Sequence, residues 1–228
     1  MKKILILALS IFMILITGCG DVQESKTSPP EKKSSTAENS SAEKNSNEKI
    51  SAENKSHGKI LIAYFSRAGD NYEVGIIEKG NTRIVADMIA EKVDADVFEI
   101  KPVKNYPADY RECTEVAKAE KESDARPEIV GKVENFEQYD TIFLGYPNWW
   151  SDLPMIMYTF MESYNFSGKT IIPFCTSSSD YFIGKREIEA YAKGSTVRDG
   201  LGIRGKLCQD NPESVRQDVT HWLEDLGF

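Results

Sequence analysis

Three stretches of the chain are apolar almost without interruption, and each stops at a polar turn. Residues 59–65 run into Ser66-Arg67-Ala68-Gly69, residues 141–146 into Pro147-Asn148-Trp149-Trp150, and residues 170–175 into Thr176-Ser177-Ser178-Ser179-Asp180. A strand with one face in water alternates apolar and polar side chains, whereas a run without alternation needs cover on both faces. Such runs belong in a parallel sheet held between two layers of helix, which excludes an all-β sandwich and a helical bundle.

The segments between the runs have helical spacing. Ile84, Val85, Met88, Ile89 and Val93 make one stripe over 82–92, with Asn81 or Thr82 as its cap. A short strand is expected over 96–100, helices near 110–122, 154–163 and 183–193, and a weak last strand over 195–201. The final helix is the best marked: Asn211 caps, Pro212 sits in the first turn, and Val215, Val219, Trp222, Leu223 and Leu226 share a face. Strand and helix in alternation predict right-handed crossovers and an α/β, doubly wound sheet.

Met1-Lys2-Lys3 and the uncharged, mostly aliphatic residues 4–16 have the form of an export signal. The apolar run is shorter than the ~20 residues that cross a bilayer as a helix. Ile16-Thr17-Gly18 before Cys19 resembles the lipobox of bacterial lipoproteins. That resemblance implies removal of residues 1–18 and acylation of Cys19, with the chain held by that lipid alone at the outer face of a bacterial cytoplasmic membrane, or the periplasmic side of a membrane. An ordinary cleaved signal that frees the chain is the alternative. Residues 19–58 hold no Phe, Trp or Tyr and are crowded with Ser, Glu, Lys and Asn. Burial there cannot offset the entropy of folding, so the segment reads as a disordered tether with a reach on the order of 35 Å. One domain remains, 59–228, with 20 basic and 29 acidic residues; it lacks the basic patches of a nucleic-acid surface.

In a doubly wound sheet, ligands bind beyond the carboxyl ends of the strands. Ser66, Arg67 and Ala68, followed after an insertion over 70–79 by Gly80, Asn81 and Thr82, bring hydroxyls and backbone N–H groups to the positive end of a helix, a place for a phosphate. Pro147, Asn148, Trp149 and Trp150 put two adjacent indoles in a polar loop, which suits a flat aromatic ligand. Thr176, Ser177, Ser178 and Asp180 offer polar atoms to a heterocycle's edge. Cys113, Cys175 and Cys208 have neither CxxC spacing nor a histidine cluster, and no metal site is expected. No Ser-His-Asp set or pair of catalytic acids is apparent, so no catalytic residue is assigned.

Together the Tyr64-Phe65-Ser66-Arg67 turn, Gly80-Asn81-Thr82 and Tyr146-Pro147-Asn148-Trp149-Trp150 resemble the flavodoxin family, most closely its subgroup with a Tyr-Pro-x-Trp-Trp loop. The resemblance implies a five-stranded parallel sheet of order 2-1-3-4-5 with helices on both faces. It also implies bound flavin mononucleotide (FMN). Ser66, Ala68, Asn81 and Thr82 would hold the phosphate; residues 147–150 and 176–180 would flank the ring. Arg67 is left between neutralising the phosphate and a surface ion pair. A shell of net acidic charge, with Asp152 and Asp180 as the nearest acids, would lower the midpoint potential. The expected function is electron transfer at the outer face of the membrane, with a redox protein or a small-molecule donor or acceptor as partner. An FMN-dependent NAD(P)H/quinone-type reductase and a non-redox surface lipoprotein are the alternatives.

Overall fold

A computed structural model describes residues 57–228. The export signal, Cys19 and nearly all of the expected tether lie outside the described residues. The first strand, β1 (Ile60–Tyr64), shows why an unbroken apolar run was needed. Leu61 and Ala63 point into one hydrophobic cluster with α-helical cover, and Ile60, Ile62 and Tyr64 into another on the opposite face. After it come a small hairpin, β2 (Gly69–Asn71) and β3 (Gly75–Ile77), then α1 (Asn81–Ala90), β4 (Asp96–Glu99) and α2 (Tyr110–Glu122). The chain continues through β5 (Thr141–Pro147), α3 (Met155–Glu162), β6 (Thr170–Ser177) and α4 (Lys185–Tyr191). It closes with β7 (Thr196–Val197), β8 (Leu201–Arg204), α5 (Gly205–Asp210) and α6 (Pro212–Leu226).

The main sheet has the order β4-β1-β5-β6-β7, with β8 also on β6, and every pairing in it is parallel. This is the 2-1-3-4-5 order expected, with one difference: the fifth position is filled by two short strands, not by one over 195–201. The cause lies in the neighbouring strand. Ile171 accepts from Arg198 N at 2.9 Å, so Ile171 and, two residues on, Pro173 face the fifth position. Pro173 has no N–H to donate. Pairing stops after Ile171↔Val197 and resumes at Phe174↔Leu201.

One face is covered by α1 and α6, whose Val85, Met88, Ile89, Val215, Val219 and Leu223 pack with Ile62, Phe143 and Ile172. The other carries α3, with Ile156, Met157 and Phe160 fully buried against Leu61, Ile142 and Leu144. The last helix follows its sequence marks: Asn211 accepts from Ser214 N, Pro212 is the first residue, and Gly227 ends it at φ +91°. At α1 the expected cap is corrected. Gly80, not Asn81 or Thr82, holds the N-cap position, and it makes no side-chain cap bond.

The start of the described chain is tied to its end. His57 stacks on Phe228 at 3.9 Å, its Nε2 lies 2.9 Å from the Gly227 carbonyl, and its own carbonyl accepts from Thr141 Oγ1 at 2.9 Å. Among the described residues no helix is long and apolar enough to cross a membrane.

Candidate functional site

Beyond the carboxyl ends of β1, β5 and β6 lies a cavity of about 410 Å³. The order reversal at β1 and β5 leaves the chain departing in opposite directions from adjacent strand ends, which opens a crevice between the loops. Asn81 from the start of α1, Asn148, Trp149 and Trp150 from the loop after β5, and Thr176, Ser177 and Ser178 at the end of β6 all line it. The three sequence loops therefore meet at one opening.

The phosphate end is built by close approach. Gly80 sits so near the preceding loop that a Cβ on it would lie 2.3 Å from Ser66 Oγ and 2.5 Å from the Arg67 carbonyl oxygen. With that spacing Ser66 Oγ accepts from Arg83 N at 3.0 Å, taking one N–H of the first helical turn. The N–H groups of Asn81 and Thr82 have no acceptor among the described residues. Two amides at a helix start are thus left for an outside acceptor. The Asn81 amide is fixed from behind: Gln209 Nε2 donates to its Oδ1 at 2.7 Å, and Gly205, whose Cβ would be 2.6 Å from Asn81 Nδ2, leaves it room. Helix α5, which provides both residues, has no cap or periodicity to mark it in the sequence.

Several expected contributors stand behind the cavity wall. Thr82 Oγ1 is buried and shares a 2.8 Å hydrogen bond with Thr176 Oγ1, so Thr82 offers its N–H and not its hydroxyl. Ser66, Ala68, Gly80 and Thr82 frame the loop without lining the cavity, and Asp180 is not part of the lining either. The Asp180 carbonyl instead lies against Gly202, where a Cβ would approach it to 2.4 Å. Asp152 is also turned away. Its carboxylate accepts from Leu153 N at 2.8 Å and Tyr158 OH at 2.6 Å and pairs with Lys121 at 3.0 Å.

Arg67 does not form the surface ion pair that was one of its two expected roles. Its guanidinium donates to the carbonyls of Asp70, Pro107, Ala108 and Asp109 at 2.6 to 3.2 Å, and no carboxylate pairs with it among the described residues. It is the one charged residue of the lining, which contains no carboxylate at all. A domain of net acidic charge therefore presents a cavity of positive sign, the reverse of the acidic shell expected around the ring. Cys113 and Tyr110, on α2, also line it, and burial pushes both the thiol and the phenol up in pKa. All three described cysteines are buried and free.

The two tryptophans differ. Trp149 is half-buried and meets Phe65 and Tyr106 edge-on at 5.3 and 4.9 Å. Tyr106 is anchored in turn by its hydroxyl, which donates to Glu120 at 2.9 Å. Trp150 is 51% exposed, at φ +54°, with Ser151 at φ +58° after it. Trp149 and Asp152 exchange backbone hydrogen bonds of 3.0 and 3.1 Å, so residues 149–152 form a tight turn with two left-handed central residues, the signature of type I′. Trp150 is held by its indole N–H, which donates to Thr114 O at 3.0 Å. Next to them Asn148, a residue of the lining, has its Oδ1 buried with no hydrogen-bond partner.

Tyr72 at the turn of the β2–β3 hairpin completes the rim, 5.9 Å from Tyr110. The insertion over 70–79 is this hairpin, pinned by Arg67 and by Asp70 N donating to Ala108 O at 2.8 Å, and tied to the end of β8 by Glu73 to Arg204 at 3.3 Å.

A family model described as Flavodoxin matches residues 59–226. The chain belongs to the flavodoxin family. Among solved structures, a protein from Bacteroides uniformis assigned as a flavoprotein is 32% identical, with 73% of this chain and 98% of that one covered and a TM-score of 0.58. A second such protein, from Bacteroides eggerthii, is 26% identical over 75% of this chain and 99% of that one, also at a TM-score of 0.58. No curated protein matches the chain. Membership in the flavodoxin family brings FMN as cofactor, and the cavity suits it. Unpaired amides and one cation without a carboxylate fit a phosphate ester; the orphaned Asn148 oxygen fits a heterocyclic N–H; indole and phenol rings fit a flat ring system.

Proposed function

We propose that this protein is an FMN-binding electron carrier at the outer face of the membrane, held there through a lipid on Cys19. The observation that carries the cofactor reading is the unpaired N–H of Asn81, in the lining of a cavity whose only lining charge is Arg67, with the Thr82 N–H also without an acceptor in the same first helical turn. FMN supplies the electron chemistry. The chain's own residues seat and orient it: the start of α1 receives the phosphate, Gly80 and Gly205 keep the loops close enough for backbone contact, and Asn148, Trp149 and residues 176–178 bound the ring. Carriage at the membrane, as opposed to a cytoplasmic role, rests on the export-signal and lipobox pattern of residues 1–19.

The test is direct. The purified protein should be yellow and release FMN on denaturation, and the apoprotein should take FMN back at about one equivalent. A colourless protein indifferent to FMN would leave a non-redox surface lipoprotein. For the anchor, Cys19→Ala should move the protein from the membrane to the soluble fraction; an unchanged distribution refutes lipid attachment.

A further inference from the structure

Resting on the FMN reading, we propose that Tyr106 and Glu120 are positioning residues for the cofactor: Glu120 holds the Tyr106 ring, and that ring fixes the plane of the Trp149 indole beside the flavin.

Trp149 has little else to orient it. The indole N–H groups of Trp150 and Trp222 donate to Thr114 O at 3.0 Å and Asp199 O at 3.3 Å, whereas that of Trp149 donates to no acceptor among the described residues. Ring packing does the work instead, with Phe65 at 5.3 Å and 89° and Tyr106 at 4.9 Å and 90°. Such edge-to-face contacts favour one direction of the ring and not merely its burial. Phe65 is locked in the core just after β1, at 1% exposure. Tyr106 is not. It belongs to the chain between β4 and α2, is half-buried, and also lines a second cavity of about 620 Å³ to which Trp149 does not contribute. Its ring therefore stands between packing on one side and open space on another. The bond from its hydroxyl to Glu120 Oε2, at 2.9 Å, keeps it from swinging into that space.

Glu120, on α2, is a poor choice for stability alone. Burial pushes its pKa up, against the Tyr106 hydrogen bond and Lys104, and an ionised group drawn out of water costs free energy that a neutral acceptor does not. What a carboxylate adds is a shorter and stronger bond to the phenol. The backbone beside Tyr106 is fixed as well, since Arg67 donates to the Pro107 and Ala108 carbonyls at 2.6 and 2.7 Å. Yet neither Tyr106 nor Glu120 lines the flavin cavity; Trp149 does. Both act through it. An indole already held at one angle loses little freedom when a flat ring lies against it.

Labelling with 5-fluorotryptophan gives the apoprotein a fluorine signal for each of its 3 tryptophans, and Trp149→Phe identifies the one concerned. Tyr106→Phe and Glu120→Ala should each shift and broaden the Trp149 signal and leave that of Trp222 in place. Each should also weaken FMN binding roughly 3- to 10-fold, as expected for loss of one edge-to-face contact. Because the two residues act as one unit, the double variant should be no worse than either single one. Glu120→Gln keeps an acceptor, and should restore the signal and bring FMN affinity to within twofold of wild type. Tyr139→Phe, which deletes a like bond to Asp96 of 2.7 Å at the opposite strand ends, should change neither. An unmoved Trp149 signal in both single variants, additive losses in the double variant, or a Glu120→Gln protein as impaired as Glu120→Ala overturns the proposal. So does a displaced signal with FMN affinity unchanged. A protein whose signal moves as expected but which takes no FMN overturns the cofactor reading and leaves Tyr106 and Glu120 as the supports of Trp149.

Discussion

Replacing Gly80 by Ala probes the joint on which the phosphate end depends. The new methyl carbon would stand 2.3 Å from Ser66 Oγ, 2.5 Å from the Arg67 carbonyl oxygen and 2.8 Å from the Arg67 carbonyl carbon. Two of these are backbone atoms, so no side-chain rotation relieves them, and α1 must draw back from the loop after β1. Overpacking of this kind costs about 1–3 kcal/mol, and loss of the Ser66 Oγ to Arg83 N bond adds about 1 kcal/mol. At about 2–4 °C per kcal/mol for a domain of this size, the apoprotein should melt roughly 4–16 °C lower. The retreat of α1 also carries the Asn81 and Thr82 amides away from their ligand. Losing one hydrogen bond to a charged group, about 1.5–3 kcal/mol, corresponds to roughly 10- to 150-fold weaker FMN binding. Melting is followed by circular dichroism and FMN binding by quenching of flavin fluorescence. Adding Ser66→Gly removes only the contact with Oγ and should restore part of the melting temperature. A Gly80→Ala protein that melts within a degree of wild type and binds FMN within twofold would refute the close-approach account.

Three further outcomes are expected. Thr82→Val leaves Thr176 Oγ1 buried without its partner and should cost about 1–3 kcal/mol of stability, whereas Thr82→Val with Thr176→Val should recover most of it; urea unfolding of the two variants decides. Ser151→Gly relaxes a residue at φ +58° and should stabilise by about 1 kcal/mol in the same assay, without loss of FMN. Glu120 has its pKa raised, first by burial, with the Tyr106 hydrogen bond and Lys104 opposing. A carboxyl easier to protonate in the folded state contributes stability that is full below the ordinary glutamate pKa and fades as pH rises through the raised value. Glu120→Gln should therefore melt above wild type at neutral pH and converge with it under acid conditions; a gap that widens in acid contradicts this sign.

The strands and large helices were legible because burial on two faces leaves a mark that polar neighbours cannot imitate: residues 60–65 carry both cores in alternate side chains. The split fifth position was hidden because its cause, Pro173, sits in a different strand. The β2–β3 hairpin was hidden because its three-residue strands, Gly-Asp-Asn and Gly-Ile-Ile, are too short for any period. At the site, composition located the three loops but not the direction of each group. Ser66 and Thr82 have the chemistry of phosphate ligands, yet their hydroxyls are engaged by Arg83 N and Thr176. Tyr72, Tyr110, Cys113 and Gly205 reach the cavity through the hairpin, α2 and α5, none of which the three loops marked.

The clamp of His57 on Phe228 joins the entry of the chain to its last residue. His57 lies just before β1, at the strand ends opposite those that border the cavity. A pull on His57 would meet the Thr141 hydroxyl and the C-terminal ring before it reached the central strand. The point where the chain enters the domain and the mouth of the cavity therefore lie at opposite ends of the same parallel strands.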